Sequence, residues 1–403
     1  MIKTEFLEIA LLLALIVIGA KLFGYLASKI HLPMVVGEIS FGILLGPTVI
    51  DILGLQFAGA PIFAHHETSA EIIKIIAELG VLLLMFLAGL ETDLVAMKKV
   101  GVAATNSAIG GVVLPFAGGW GLGMAFGMPI NEAVFIGTIL TATSVSISAQ
   151  TLIELKKLRT KEGATILGAA VIDDIVGILI LSVVVAVFST TGGTPPPLWL
   201  VALKMIVFFA IGIALSPLVK RLVAWFSKLP VSEPLLAISI VVALVYAFAA
   251  EQWGGVAAIT GSYLAGIILA SGSWKHELEE KAQTIVYSLF VPVFFVDIGL
   301  RANLRDALTG QLIWIALAVV LVAVFGKIIG SGVGAMLSGF NLKESLRVGS
   351  GMVSRGEVGL IVAGIGLEQA VITEDVFSLM VLMVVVTTLV TPILLRFSFS
   401  GEN

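Results

Sequence analysis

The chain has 403 residues, of which 59% are hydrophobic and 12% charged, and its mean hydropathy is +1.12. Apolar runs of about 20 residues recur along its length, each long enough to cross a bilayer as a helix. This composition excludes a soluble globular protein and predicts an all-α polytopic membrane protein. A net charge of −4 gives no support for nucleic-acid binding. The absence of cysteine excludes disulfides and cysteine-ligated metals, and the four histidines lack ligand spacing, so no cofactor is expected.

Hydropathy and helix-breaking residues predict thirteen transmembrane spans joined by short connections. The whole chain, 1–403, is therefore expected to form one membrane-embedded unit. The first run is interpreted as a retained helix and not a signal peptide, because it lacks a small-residue cleavage site. The predicted spans are approximately 6–27, 33–53, 71–91, 100–125, 131–153, 162–188, 198–222, 234–251, 256–271, 281–299, 311–337, 345–367 and 376–397.

The distribution of Lys and Arg between the connections predicts the orientation. With thirteen spans, fifteen of these residues fall on one side of the membrane and four on the other, while four lie within spans. Positively charged connections stay in the cytoplasm. We therefore expect the N-terminus outside and the C-terminus in the cytoplasm.

Two spans in the first half carry polar residues near their centres. The fifth contains six hydroxyl residues in GTILTATSVSISAQ, and those other than Thr143 and Ser144 are expected to bond back to their own helix. The sixth carries the adjacent Asp173 and Asp174. Each ionised Asp near a helix centre costs roughly 2.5–3.5 kcal/mol, so such residues usually face a cavity or the protein interior and handle ions.

Two later spans supply the opposite charges. The eleventh carries Lys327 in GKIIGSGVG, where glycines recur every four residues and predict close helix contact, and the twelfth carries Arg355 and Glu357 among glycines. If Lys327 pairs with Asp173, and Arg355 with Glu357, one negative charge remains, and this count assigns it to Asp174. That carboxyl should hold either a proton or a small cation.

The order of the spans predicts an internal symmetry. The fifth and twelfth spans are seven apart, and since seven is odd they cross the membrane in opposite senses. This is the arrangement of an inverted-topology repeat, in which two interrupted helices meet at mid-membrane and present backbone groups to an ion. The hydroxyl-rich fifth span and the glycine-rich twelfth are the candidates for interruption.

These motifs together resemble a known family. The Asp173-Asp174 pair, the TATSVS run, Lys327 in GKIIGSG and SRGEVGL around Glu357 are similar to the sodium/proton antiporters of the cation:proton antiporter superfamily, above all to the bacterial NapA type with thirteen spans. The stretches PMVVGEISFGILLGP and ELGVLLLMFLAGLE resemble its Kef-like relatives. The resemblance covers nearly the whole chain.

The resemblance implies a role for each polar residue. Asp174 matches the main cation- and proton-binding carboxylate. Asp173 matches the carboxylate that forms a salt bridge with the lysine matched by Lys327, and this lysine is expected to be a second proton-coupling group. Thr143 and Ser144 fall where the unwound helix approaches the ion. Arg355 and Glu357 match a charged pair that acts as a structural clamp.

The resemblance also implies the transport mechanism. It predicts electrogenic exchange of Na⁺ or Li⁺ for H⁺, with a role in pH homeostasis, across a bacterial inner membrane. In elevator-type movement, a core bundle of about 100–188 and 311–397 would move against a dimerisation scaffold of about 6–91 and 234–299. Residues 198–222 would link the two, and the protein would form a homodimer.

Other functions stay open from the sequence. A K⁺/H⁺ antiporter or a Kef-like K⁺ efflux channel domain would use similar residues, although Kef systems usually have Gln at the position of Asp173 and carry a cytosolic nucleotide-binding domain. An ion channel without proton coupling is a further possibility. An intramembrane aspartyl protease fits poorly, because adjacent residues on one helix project about 100° apart and cannot face each other across a substrate.

Overall fold

Helices make up most of the computed structural model, which describes all residues except 1, 31, 33, 53–55, 58–59, 62–65, 92–93, 159, 189–197, 256, 308–311 and 401–403. In the first half the helices are α1 Ile2–Lys29, α2 Met34–Leu45, α3 His66–Glu91, α4 Leu94–Ala125, α5 Ile130–Thr141, α6 Val145–Glu154, α7 Lys161–Phe188, α8 Leu198–Ala214 and α9 Ser216–Phe226. In the second half they are α10 Pro234–Ala249, α11 Ala258–Leu269, α12 Lys275–Ile285, α13 Val291–Arg301, α14 Leu304–Ala307, α15 Leu312–Leu337, α16 Leu342–Gly351, α17 Glu357–Glu368 and α18 Glu374–Phe399.

Within the described residues, eight helical segments are long and apolar enough to cross a membrane, which confirms a polytopic membrane protein. The pair α8 and α9 forms a ninth if it is counted as one span bent by 45°. The bend falls at Leu215, two residues before Pro217, whose ring and missing N–H interrupt a helix. Shorter apolar helices include α2, α5, α11 and most of α17.

Three elements differ from the sequence prediction. The helix predicted over 33–53 ends at Leu45, because Gly46 and Pro47 follow and Pro47 has no backbone N–H to donate to the preceding turn. The tenth predicted span begins earlier, at Lys275, in a charged first turn that hydropathy does not detect. A two-stranded antiparallel pair, Gln56–Phe57 (β1) with Ala60–Pro61 (β2), is the one departure from helix among the described elements.

The helices pack in two groups. Helices α4 to α7 contact α15 to α18, and we call this group the crossing bundle. Helices α1 to α3 contact α10 to α13, and we call this group the flanking layer. The crossing bundle contains every residue predicted for the ion site.

Glycines set the closest contact in the crossing bundle, between α4 and α15. A Cβ on Gly330 would lie 2.2 Å from the carbonyl oxygen of Gly110, and a Cβ on Gly334 would lie 2.1 Å from that of Asn106. Larger residues would therefore force the two helices apart. The close contact predicted from glycines at every fourth position is confirmed.

Both predicted interruptions are present. Residues 142–144 are non-helical between α5 and α6. Residues 352–356 separate α16 from α17, with Met352 in a turn and 353–356 without regular structure. The α16 helix begins with a capping box, in which Asn341 and Glu344 satisfy each other's backbone N–H groups. The two breaks provide the backbone that organises the site.

Candidate ion-binding site

The two breaks bind directly to each other. The N–H of Ser144 donates to the carbonyl of Ser354 at 2.8 Å, and the hydroxyl of Ser354 donates to the carbonyl of Ser144 at 2.9 Å. The hydroxyl of Ser148 donates to the carbonyl of Gly351 at 2.5 Å. Main-chain groups that lost their helical partners thus find new ones across the crossing point, as buried backbone polar groups require.

The crossing is tight enough to need a glycine in the second break. A Cβ on Gly356 would lie 2.7 Å from the hydroxyl oxygen of Ser144. Such a contact is closer than real Cβ atoms show. A glycine at position 356 therefore lets the second break approach the first.

Asp173 lies beside the first break and is fully buried. Its Oδ2 accepts hydrogen bonds from the hydroxyl of Thr143 and from the ammonium of Lys327, so the predicted Asp173–Lys327 ion pair is confirmed. Its Oδ1 is also buried, and no described residue donates a hydrogen bond to it. One carboxylate oxygen therefore remains available for a ligand.

Lys327 is held at the end of a half-helix. Its Nζ donates to the carbonyl of Thr141, the last residue of α5, at 2.7 Å. A helix C-terminus carries partial negative charge, so both this carbonyl and Asp173 favour the ammonium. Opposite Lys327, a Cβ on Gly111 would lie 3.5 Å from Nζ and 2.3 Å from the hydroxyl oxygen of Ser331. Glycine at 111 therefore leaves the space that these two side chains fill.

Arg355 is the second buried cation of the site, and backbone carbonyls accept hydrogen bonds from both of its terminal nitrogens. Its guanidinium donates to the carbonyls of Leu140, Ala323 and Val353 at 2.9, 2.7 and 2.6 Å. It thereby joins α5, α15 and the second break. The side chain of Glu357 lies outside the described residues, so the predicted pair between Arg355 and Glu357 stays a prediction.

Asp174 differs from its neighbour in exposure. Its side chain is partly exposed, whereas Asp173 is fully buried, as expected for residues that project about 100° apart on α7. The site therefore combines one carboxylate fixed by a lysine with a second residue that is partly exposed, although its Oδ1 is buried. Carboxylate, hydroxyl and carbonyl oxygens are the ligands preferred by hard cations. Among the described residues, no group of three His, Cys, Asp or Glu could hold a metal ion.

The hydroxyls of the fifth span follow the prediction in part. Thr138 and Thr141 donate to carbonyls of their own helix, as expected, at 3.0 and 2.7 Å. For Ser148 the prediction is wrong, because its hydroxyl binds across the break to Gly351 and lies 2.9 Å from that of Ser354. Sequence analysis did not select Ser354, although its place beside Arg355 in the glycine-rich twelfth span was a usable signal.

Sequence analysis also missed a second buried ion pair in the crossing bundle. Arg347 of α16 and Glu162 in the first turn of α7 lie 2.8 Å apart, and both are nearly inaccessible. No sequence pattern joins two residues so far apart in the chain. Only the packing of α7 against α16 brings them together.

Comparison with known proteins places the chain in a family. The protein-family model described as "Sodium/hydrogen exchanger, transmembrane" matches residues 12–400. The Na⁺/H⁺-K⁺ antiporter GerN of Bacillus cereus is 39% identical, over 97% of this chain and 96% of that protein. The Na⁺/H⁺ antiporter of Enterococcus hirae is 35% identical, over 96% of this chain and 97% of that protein.

A solved structure shares the fold. The sodium proton antiporter MjNhaP1 from Methanocaldococcus jannaschii superimposes with a TM-score of 0.74 over 98% of both chains, at 17% sequence identity. The relatives named here are antiporters, which are transporters and not enzymes. The resemblance drawn from the sequence motifs is confirmed: this chain belongs to the sodium/hydrogen exchanger family.

Proposed function

We propose that the protein is a secondary transporter that exchanges Na⁺ or Li⁺ for H⁺ at Asp174 and Asp173. The observation that carries this proposal is the buried Asp173–Lys327 pair at the crossing of two broken helices, with a partly exposed carboxylate next to it. Relatives that share 35–39% identity over nearly the whole chain carry Na⁺/H⁺ antiport in their names. K⁺ is the alternative cation, since the name of GerN includes it.

Competition for the same oxygens would couple the two fluxes. A proton on Asp174 and a dehydrated Na⁺ cannot occupy the same carboxylate, so cation binding on one side expels protons and protonation on the other side releases the cation. Thr143 and Ser144 lie at the first break, where a hydroxyl and backbone groups are within reach of Asp173. These groups would complete the oxygen ligands of the ion.

The overall design follows the same proposal. If α5 with α6, α8 with α9, α12 with α13 and α16 with α17 each make one crossing, and the four-residue α14 makes none, the helices would form thirteen spans in inverted repeats. The crossing bundle, about 100–188 and 311–397, would move like an elevator against a scaffold of about 6–91 and 234–299, with 198–222 as the linker. The scaffold would form a homodimer in a bacterial inner membrane, with the N-terminus outside.

Reconstitution tests the proposal directly. When a Na⁺ gradient is imposed on vesicles that contain the purified protein, protons should move in the direction opposite to Na⁺. A pH-sensitive dye in the lumen reports this movement. Asp174→Ala should reduce this flux to that of protein-free vesicles, because the shared site is lost. Flux at the unchanged rate in Asp174→Ala would refute the site, and K⁺ gradients run in parallel identify the preferred cation.

Lys327 tests the electrogenic part of the proposal. If Lys327 releases a proton when Asp173 turns to the ion, two protons move for each Na⁺. Lys327→Gln should then lower the charge moved per Na⁺ in a voltage-clamped membrane. If the variant moves the same charge per Na⁺ as the unaltered protein, Lys327 is not the second proton carrier.

A further inference from the structure

A group of ion pairs joins the flanking layer to the crossing bundle at one end of the molecule. Glu368, the last residue of α17, accepts through Oε1 from Nη1 of Arg301 at 3.4 Å, and Nζ of Lys74 lies 3.8 Å from the same oxygen. Arg301 belongs to α13 and Lys74 to α3. A single carboxylate of the crossing bundle is therefore held by two cations of the flanking layer.

Each of these cations has a second partner within the flanking layer. Arg301 lies 2.7 Å from Asp297, four residues earlier on α13, and Lys74 lies 3.6 Å from Glu78, four residues later on α3. If Glu368 moved away, neither cation would lose its last counter-charge. The contact can therefore open without stranding a charge.

Exposure also separates this junction from the pairs inside the crossing bundle. The side chains of Glu368 and Arg301 are 25% and 23% exposed, whereas those of Asp173 and Lys327 are 0% exposed. Partly hydrated pairs contribute little individually and are easily replaced by water, while breaking a fully buried pair is costly. The junction is suited to repeated opening.

Helix α17 connects this junction to the ion site. It begins at Glu357, directly after the second break, and ends at Glu368. Its twelve residues form a rod about 17 Å long at 1.5 Å per residue. Any displacement of the break relative to the flanking layer must therefore move Glu368 relative to Arg301 and Lys74.

Resting on the proposed exchange function, we propose that Glu368 is a positioning residue whose contact with Arg301 and Lys74 breaks and re-forms in every transport cycle. In the conformation described here, it holds one end of the crossing bundle against the flanking layer. The distribution of Lys and Arg predicts that this end faces outside. Glu368 would thus favour the state in which the outer approach to the site is closed.

Crosslinking tests this proposal, because the chain contains no cysteine of its own. Arg301→Cys with Glu368→Cys would join the flanking layer to the crossing bundle. Lys74→Cys with Arg301→Cys is the matched control, since it joins two helices of the flanking layer at the same place. Both pairs would be treated with a bifunctional methanethiosulfonate reagent, assayed for Na⁺-driven proton flux in vesicles, and assayed again after reduction.

The first pair should lose nearly all flux when crosslinked and recover it on reduction. The crosslinked control should keep the flux that it shows before crosslinking. Full flux in the completely crosslinked first pair would overturn the proposal, and so would an equal loss in the control. Absence of Na⁺-driven flux in the unaltered protein would instead refute the proposed function itself. The two failures are therefore distinguishable.

A charge-neutral variant provides a second measurement that does not depend on cysteine pairs. Glu368→Gln keeps the shape of the side chain and removes its charge. It should lower the half-saturating Na⁺ concentration from outside and raise that from inside, each by up to about fivefold, because the outer-closed state is no longer favoured. Equal changes on both sides would show a merely structural role and overturn the proposal.

Discussion

Helix α7 carries two buried ion pairs that look alike and differ in their surroundings. Near its start, Glu162 binds Arg347, whose Nε also donates to the carbonyl of Ser398 at 3.2 Å and whose guanidinium lies 4.7 Å from the ring centre of Phe399. That cation is fixed from several sides by regular helices. We therefore interpret the Glu162–Arg347 pair as structural.

About three turns further along α7, Asp173 binds Lys327 in a different setting. The lysine donates to the end of a broken helix, and a second, partly exposed carboxylate follows at Asp174. Burial and charge pairing are common to both regions of α7, so they do not mark a functional site by themselves. The released backbone and the partly exposed Asp174 distinguish the proposed ion site from the structural pair.

The largest effect is expected at the ion site. Asp173→Asn leaves Lys327 buried without its partner, which should destabilise the protein by about 3–5 kcal/mol. The ammonium would then compete with Na⁺ for Asp174, and 1.4 kcal/mol of competition raises the half-saturating Na⁺ concentration about tenfold. Thermal unfolding and Na⁺-dependent flux in vesicles measure the two effects.

The double variant Asp173→Asn with Lys327→Gln provides the control for stability. Removing both charges should restore most of the lost stability, because no unpaired charge stays buried. If Asp173→Asn alone unfolds at the same temperature as the unaltered protein, the ion pair is not the fixed feature that the geometry indicates.

A similar loss of stability without a loss of ion affinity is expected at the other pair. Glu162→Gln leaves Arg347 without its carboxylate and should also cost about 3 kcal/mol or more. Its half-saturating Na⁺ concentration, measured on the folded fraction, should stay unchanged because Glu162 lies about three turns from Asp173. A shift as large as that of Asp173→Asn would remove the distinction between the two pairs.

The smallest effect concerns Glu344, which is partly exposed in the first turn of α16. The backbone N–H of Asn341 donates to its carboxylate at 2.9 Å and lowers the pKa of Glu344 below its usual 4.5. A lowered pKa in the folded state stabilises the protein above pH 4.5, and this contribution is lost as the pH falls through the folded-state pKa.

Glu344→Gln should therefore remove a small, acid-sensitive part of the stability. Unfolding temperatures of both proteins, measured from neutral pH to below 4.5, should converge at the acid end. Curves that stay parallel over this range would show that the capping carboxylate does not contribute.

Much of the site could be predicted from particular residues. Charges at membrane depth are so costly that Asp173 and Lys327 had to find each other or water, and the resemblance to the antiporters implied this pair. Glycines at 326, 330 and 334 predicted the close approach of α15 because only small residues permit it. The hydroxyl-rich and glycine-rich compositions of two spans indicated where helices would break.

The sequence by itself determined a polytopic membrane protein, the burial of Asp173, Lys327 and Arg355, and the family, because hydropathy and charge cost are properties of single residues and short segments. Only the tertiary structure decided that Ser148 and Ser354 bind across the two breaks, that backbone carbonyls accept from the terminal nitrogens of Arg355, and that Glu162 meets Arg347. These contacts join residues distant in the chain, and their partners are set by how helices cross. No local pattern encodes that geometry.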